Sequence, residues 1–207
     1  MRVDPRLDML GVIDVQPTFM PGGALPVPDG QLVVPVINRL LGGPFRRAFA
    51  TQDWHPPAHA SFASQHAGRA PFDEIELAYG RQTLWPDHAL QGSPEAALHA
   101  DLDTRRIEMV IRKGMRPEID SYSAFRENDR TTVTGLAGWL RALGIERVFF
   151  CGLALDYCVA WSAADAVEAG FESVVVLDAT RAIGPEAETA RALAARGIKV
   201  LASDALS

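Results

Sequence analysis

Cysteine is scarce in this chain, with only Cys151 and Cys158 among 207 residues. Two thiols make no disulfide framework, and they suit a reducing compartment. Long hydrophobic runs are missing too: no uninterrupted apolar stretch reaches the ~20 residues that cross a bilayer. The segment Met1 to Asp8 holds two Arg and two Asp and leads straight into an apolar run of strand length. That is unlike a signal peptide, so the expectation is a cytoplasmic chain that starts here. Positive charge is in deficit. The formal net charge of −6 argues against nucleic acid or an anionic membrane as the main partner. No Gly-x-Gly-x-x-Gly follows the first apolar run, which counts against a dinucleotide-binding module. Internal repeats and low-complexity linkers are also lacking. What remains, 48 % hydrophobic and 22 % charged residues, can bury a sizeable core and fits one domain over 1–207.

Six short apolar runs read as strands: Met9–Asp14, Arg47–Thr51, Met109–Arg112, Arg147–Cys151, Ser173–Leu177 and Lys199–Ala202. Most are nearly continuous in Val, Ile, Leu, Phe and Ala rather than alternating, as parallel strands buried on both faces are. Helical patterns lie between them at Leu32–Leu41, Thr134–Leu143, Cys158–Ala169 and Glu186–Arg196, the last three ending before glycine. The alternation predicts a three-layer α/β fold. It would be an open, mostly parallel six-stranded sheet of order 3-2-1-4-5-6 with helices on both faces. One region breaks the rhythm. Residues 52–105 are too long for an ordinary strand–helix connection and hold all five histidines, His55, His59, His66, His88 and His99. Such a long loop is expected to be functional.

Open α/β sheets bind ligands outside the carboxyl ends of their strands, near the point where strand order reverses. Asp14, Asp53 and Lys113 end the first three strands, and Gly152 to Cys158 forms the turn after the fourth. Cys158 would start a helix, where free N–H groups and the helix dipole should lower a thiol pKa. The same turn offers the N–H groups of Ala154 and Cys158 as an oxyanion hole. Asp14 is placed to act as a base and Lys113 as its cationic partner. Cys151, inside an apolar strand, reads as a small core residue. Asp53 and His55, spaced i and i+2, would point to one side of an extended stretch. With His88 they make a mixed oxygen and nitrogen set suited to Zn, Mn or Fe(II). His59 reads as a residue that supports the ligands rather than one of them. Phe19, Trp85 and Tyr122 are candidate walls for a flat substrate.

Six segments together resemble the nicotinamidase/pyrazinamidase branch of the isochorismatase-like cysteine hydrolases. They are Val12-Ile13-Asp14-Val15-Gln16, Thr51-Gln52-Asp53-Trp54-His55-Pro56, Leu84-Trp85-Pro86-Asp87-His88, Lys113-Gly114, Asp120-Ser121-Tyr122-Ser123-Ala124-Phe125 and Gly152-Leu153-Ala154-Leu155-Asp156-Tyr157-Cys158-Val159. The resemblance covers nearly the whole chain. It implies Asp14, Lys113 and Cys158 as a catalytic triad, and Asp53, His55 and His88 as ligands of one divalent metal. It also implies a cis peptide between Leu153 and Ala154. The implied reaction is hydrolysis of nicotinamide, and of pyrazinamide, to the acid and ammonia through a Cys158 thioester, in NAD salvage. The metal would anchor the pyridine nitrogen. Ala89, Leu155 and Ala124 stand where many members have Cys, Thr and Gly, which bears on substrate preference rather than on reaction class. The competing expectation is a related amidohydrolase acting on a carbamoyl or ureido compound. Those relatives share the Asp, Lys and Cys but generally lack the metal trio. The resemblance leaves the identity of that metal, Zn or Mn/Fe, and a homo-oligomeric state open.

Overall fold

The computed structural model describes all 207 residues. Its main sheet has six parallel strands: β1 (Asp8–Ile13), β2 (Ala48–Asp53), β5 (Ile107–Lys113), β6 (Arg147–Leu153), β7 (Glu172–Arg181) and β8 (Lys199–Leu201). A separate antiparallel hairpin joins β3 (Glu74–Leu77) to β4 (Gly80–Thr83). The large sheet runs β5-β2-β1-β6-β7-β8, which is the expected 3-2-1-4-5-6 pattern once the hairpin strands are left out of the count.

The near-continuous apolar runs are explained by two cores that share this sheet. Leu10 and Val12 of β1 face one core and Met9 and Ile13 the other, following the two-residue period of a strand. On β6, Phe149 and Cys151 alternate in the same way with Val148 and Phe150. Helix α1 (Val33–Gly42) covers the first face with Val33, Val34, Ile37, Leu40 and Leu41, a stripe of helical spacing. Residues of α2 (Leu136–Ala142), α3 (Ala160–Glu168) and α4 (Glu186–Ala195) cover the second.

Three local expectations differ from the structure. Helix α3 begins at Ala160, because Leu155–Val159 form a wider π-helical turn in front of it. Strand β7 continues to Arg181, pairing with β6 beyond a register shift between Phe150 and Gly152. The 52–105 region contains the β3–β4 hairpin and several single 3-10 turns rather than unstructured loop. No helix is long and apolar enough to cross a membrane.

Candidate active site

Strand register brings the first charged groups together. In the β2–β5 pairing Asp53 lies opposite Lys113, and in the β1–β6 pairing Ile13 lies opposite Gly152. Asp14, one residue past β1, therefore sits beside the turn that carries Cys158. Gly152 permits the approach: its φ is +107°, and a Cβ there would overlap the backbone of Ile13. The Lys113 ammonium is fully buried. It lies 2.7 Å from Asp14 Oδ2, is ion-paired with Asp53 Oδ1, and donates to the Ser121 carbonyl at 3.1 Å and to Cys158 Sγ at 3.4 Å. Asp14 Oδ1 accepts from the Thr51 hydroxyl at 2.6 Å, while the Thr51 oxygen accepts from the Asp14 N–H at 3.0 Å. Asp14 Oδ2 is near Lys113 but receives no aligned donor, so a lone pair remains free. Asp14, Asp53 and Cys158 each place a ligand atom within 4.8 Å of the others.

The electrostatics correct one expectation. Burial pushes the Cys158 thiol well above its ordinary pKa; Lys113 pulls it down, but Asp14 and Asp53 push the same way as burial. A helix N-terminus was expected to lower it. Cys158 is only 6 % exposed, sits in the π-turn ahead of α3, and faces two carboxylates for one ammonium. At rest the sulfur therefore keeps its proton. Burial also raises Asp14, with Lys113 opposing and Asp53 reinforcing the shift. Burial would raise Asp53 as well, yet Lys113 and His55 outweigh it and hold that carboxyl well below the usual range. Burial alone would neutralise Lys113, but Asp14 and Asp53 keep it firmly charged.

The turn presents a donor. The Leu153–Ala154 peptide is cis. The Ala154 carbonyl accepts from the Tyr157 and Val159 N–H groups at 3.2 and 3.1 Å, whereas the Ala154 N–H donates to no group in the protein. Asp156 anchors the turn by accepting from the Ile183 and Gly184 N–H groups at 3.1 and 2.7 Å.

Asp53 also faces two imidazoles. Its Oδ2 lies 3.6 Å from Nε2 of His55 and 3.6 Å from Nε2 of His88. The other ring nitrogens are occupied, His55 Nδ1 by the Gly114 carbonyl at 2.9 Å and His88 Nδ1 by the Pro86 carbonyl at 2.8 Å. Such bonds fix the tautomer that leaves Nε2 unprotonated, the usual arrangement of a metal-ligating histidine. The three donors converge within 4.8 Å, so this set fits one divalent ion. Gly114 makes room, since at φ +65° a Cβ would overlap the His55 ring. His59 differs. Its Nδ1 accepts from the Ser61 N–H at 3.3 Å, which leaves Nε2 as the protonated nitrogen, directed at the Ile119 carbonyl at 3.2 Å. Neither nitrogen is free for a metal.

A small cavity opens beside these groups. Cys158, Ala154, Asp53 and His88 line it, together with Phe19, Trp85 and Tyr122. Trp85 Nε1 donates to the Tyr122 hydroxyl at 3.2 Å, locking two of the aromatic walls. A larger surface groove runs past Trp161 and Arg196, but it contains neither the thiol nor a metal-ligating set. The chemistry therefore belongs to the smaller cavity. Sequence reasoning missed Asp120, Tyr157, Leu25 and Ile183 in its lining. Asp120 and Tyr157 stood inside quoted motifs, beside Tyr122 and Cys158, whereas nothing in sequence marked Leu25 or Ile183. Gln16 was also passed over. Its side chain brackets the Asp53 backbone, accepting from its N–H at 2.8 Å and donating to its carbonyl at 2.9 Å.

Comparison with known proteins gives a consistent result. The family model described as the isochorismatase domain matches residues 8–205. A nicotinamidase of Acinetobacter baylyi is 52 % identical over 172 residues, which is 83 % of this chain and 80 % of that protein. The solved structure of a nicotinamidase and pyrazinamidase from Acinetobacter baumanii superposes with a TM-score of 0.94 at 45 % identity, covering 98 % of this chain and 99 % of that one. A pyrazinamidase of Pyrococcus horikoshii, solved in complex with zinc, gives a TM-score of 0.75 at 35 % identity over 94 % of this chain and 98 % of that one.

Proposed function

The chain belongs to the isochorismatase family, and from that premise we propose that it is a nicotinamidase, an amidohydrolase that converts nicotinamide to nicotinate and ammonia. Pyrazinamide, a heteroaromatic carboxamide of the same size, is its second substrate. The observation that carries the reading is the meeting of Asp14, Lys113 and Cys158 with Asp53, His55 and His88 beside one cavity, which Cys158, Asp53 and His88 line.

In this proposal Asp14 Oδ2, free of aligned donors, takes the thiol proton as Cys158 Sγ attacks the amide carbon. The raised Cys158 pKa keeps the proton on sulfur at rest, and the raised Asp14 pKa makes that carboxylate a stronger base for taking it. The carbonyl oxygen becomes an oxyanion received by the N–H groups of Ala154 and Cys158. Collapse breaks the C–N bond, Asp14 returns its proton to the departing nitrogen, and ammonia leaves. Asp14 then deprotonates a water that attacks the thioester, releasing nicotinate and regenerating the thiol. Lys113 balances the carboxylates throughout. Asp53, His55 and His88 would hold a divalent ion, which supplies a Lewis-acid anchor for the ring nitrogen. Phe19, Trp85 and Tyr122 would flank the ring, and His59 would support His55.

The donor set distinguishes this from hydrolysis of a carbamoyl or ureido compound, which gives a metal trio no evident task. Two free cysteines fit the reducing cytoplasm, where such an enzyme would serve NAD salvage. The test is ammonia release from nicotinamide, set against an N-carbamoyl amino acid and repeated after chelation. Release from nicotinamide that falls on chelation is expected. Preference for the carbamoyl compound would overturn the assignment.

A further inference from the structure

Asp120 is a buried carboxylate that the reaction described above does not use. It is 2 % exposed and lines the same cavity as Cys158, Asp53 and His88. Every partner it has is a donor: Oδ1 accepts from the Ser121 N–H and Oδ2 from Gln82 Nε2, each at 2.8 Å. That pattern belongs to an ionised carboxylate. Yet no Lys or Arg pairs with it: ring nitrogens of His55 and His59 lie within 4.8 Å of its carboxylate, His55 is directed to Asp53 and the Gly114 carbonyl, and His59 is neutral by its own hydrogen bonds. Placement is deliberate. Gln82, on β4, also donates to the Thr83 carbonyl at 2.6 Å and the Tyr122 hydroxyl at 3.1 Å. Its carbonyl accepts from the Tyr79 hydroxyl at 2.9 Å, so the amide is held at both its nitrogen and its oxygen. An unpaired buried charge is costly, and here the hairpin is organised to keep it.

Charge counting suggests why. Asp14, Asp53 and Asp120 carry three negative charges and Lys113 one positive. A divalent ion at Asp53, His55 and His88 would bring the sum to zero. A neutral site suits a neutral amide. Hydrolysis then converts that amide to an anionic acid, which a site of net positive charge would retain. We propose that Asp120 is a specificity-determining residue which sets the charge of the loaded site so that the neutral heteroaromatic carboxamide is held and the anionic carboxylate product is expelled. The inference rests on the nicotinamidase reading, because it needs a neutral substrate and an anionic product of one shape.

The test is calorimetric binding of nicotinate and nicotinamide to Asp120→Asn in a Cys158→Ala background, which prevents turnover, in metal-loaded and metal-stripped forms. Asn keeps the size and can accept from one of the two donors, Gln82 Nε2, while its amide nitrogen then faces the Ser121 N–H. Removing one negative charge from a low-dielectric site should tighten nicotinate about tenfold in both forms. Nicotinamide affinity should stay within about twofold. Asp120→Glu, which keeps the charge, should keep the parent discrimination even if it weakens both ligands, and so separates charge from packing. Unchanged or weakened nicotinate binding in Asp120→Asn overturns the inference, as does equal tightening of both ligands. If the parent Cys158→Ala protein binds neither compound, the nicotinamidase reading falls and takes this inference with it.

Discussion

Lys113 is one of only two lysines in the chain, and its ammonium touches two carboxylates, a carbonyl and the Cys158 sulfur. The account makes Asp14 the base and Lys113 its counter-charge, so their removal should have linked effects. Asp14→Asn keeps the shape but not the proton acceptor, and single-turnover acylation should slow by ~10²–10⁴-fold. Lys113→Ala should slow it as well, by leaving the carboxylates uncompensated beside the thiol. The double variant should be little worse than the slower single one, because the residues act as a unit. Strictly additive small effects would reduce both to structural roles. The pH profile gives a second check. Burial raises the Asp14 pKa, so the base is lost as pH falls through a value above the ordinary carboxylate one of ~3.9. The acid limb of kcat/KM should therefore lie above that value, and a limb at or below it would exclude Asp14. At the metal set, His88→Ala should abolish tight binding of one ion per chain, read by elemental analysis after dialysis. His59→Ala should retain most of it, since both His59 nitrogens are already occupied.

At the scale of elements, the strands and their order were legible because each strand is buried on both faces and bounded by polar or turn residues. The ends of β1, β2 and β5 were legible for the same reason: a charged residue closing an apolar run marks the sheet's carboxyl edge. The π-turn at Leu155–Val159 was not, because no glycine or proline marks the step from the turn into α3, and Cys158 and Val159 read as the first residues of the helix. The β3–β4 hairpin escaped notice since both strands are only four residues long: Glu74-Ile75-Glu76-Leu77 alternates, but Gly80-Arg81-Gln82-Thr83 offers no large apolar residue opposite it. That omission hid Gln82, and with it the reason Asp120 is held in the cavity. The thiol's raised pKa was equally invisible, as it comes first from burial in the folded site and then from the carboxylates the register delivers. Two turns invite substitution. Gly114→Ala would force a Cβ into the His55 ring at a positive φ, so metal content should fall with activity. A fully loaded variant would contradict that placement. Asp156→Ala removes two charge-assisted bonds that tie the nucleophile turn to Ile183 and Gly184. It should cost about 2 kcal/mol in thermal or chemical unfolding and lower kcat more than it raises KM.

Across the whole molecule, two cores lie back to back on one sheet, and no segment has a core of its own. We therefore propose a single cooperative unit over 1–207. Far-UV dichroism and tryptophan fluorescence should report one unfolding midpoint, with Trp54, Trp85, Trp139 and Trp161 spread from the site to the α2 and α3 side. Two separated transitions would show that the long 52–105 region folds independently. The central claim, amide hydrolysis through Cys158, is tested most directly by one comparison. Purified wild-type protein and Cys158→Ala, matched in metal content and far-UV spectrum, are mixed with nicotinamide and the ammonia released is measured. The account predicts steady release by the wild type and none above background from the variant, while Cys151→Ala keeps most of its activity. Ammonia release retained in Cys158→Ala would contradict it.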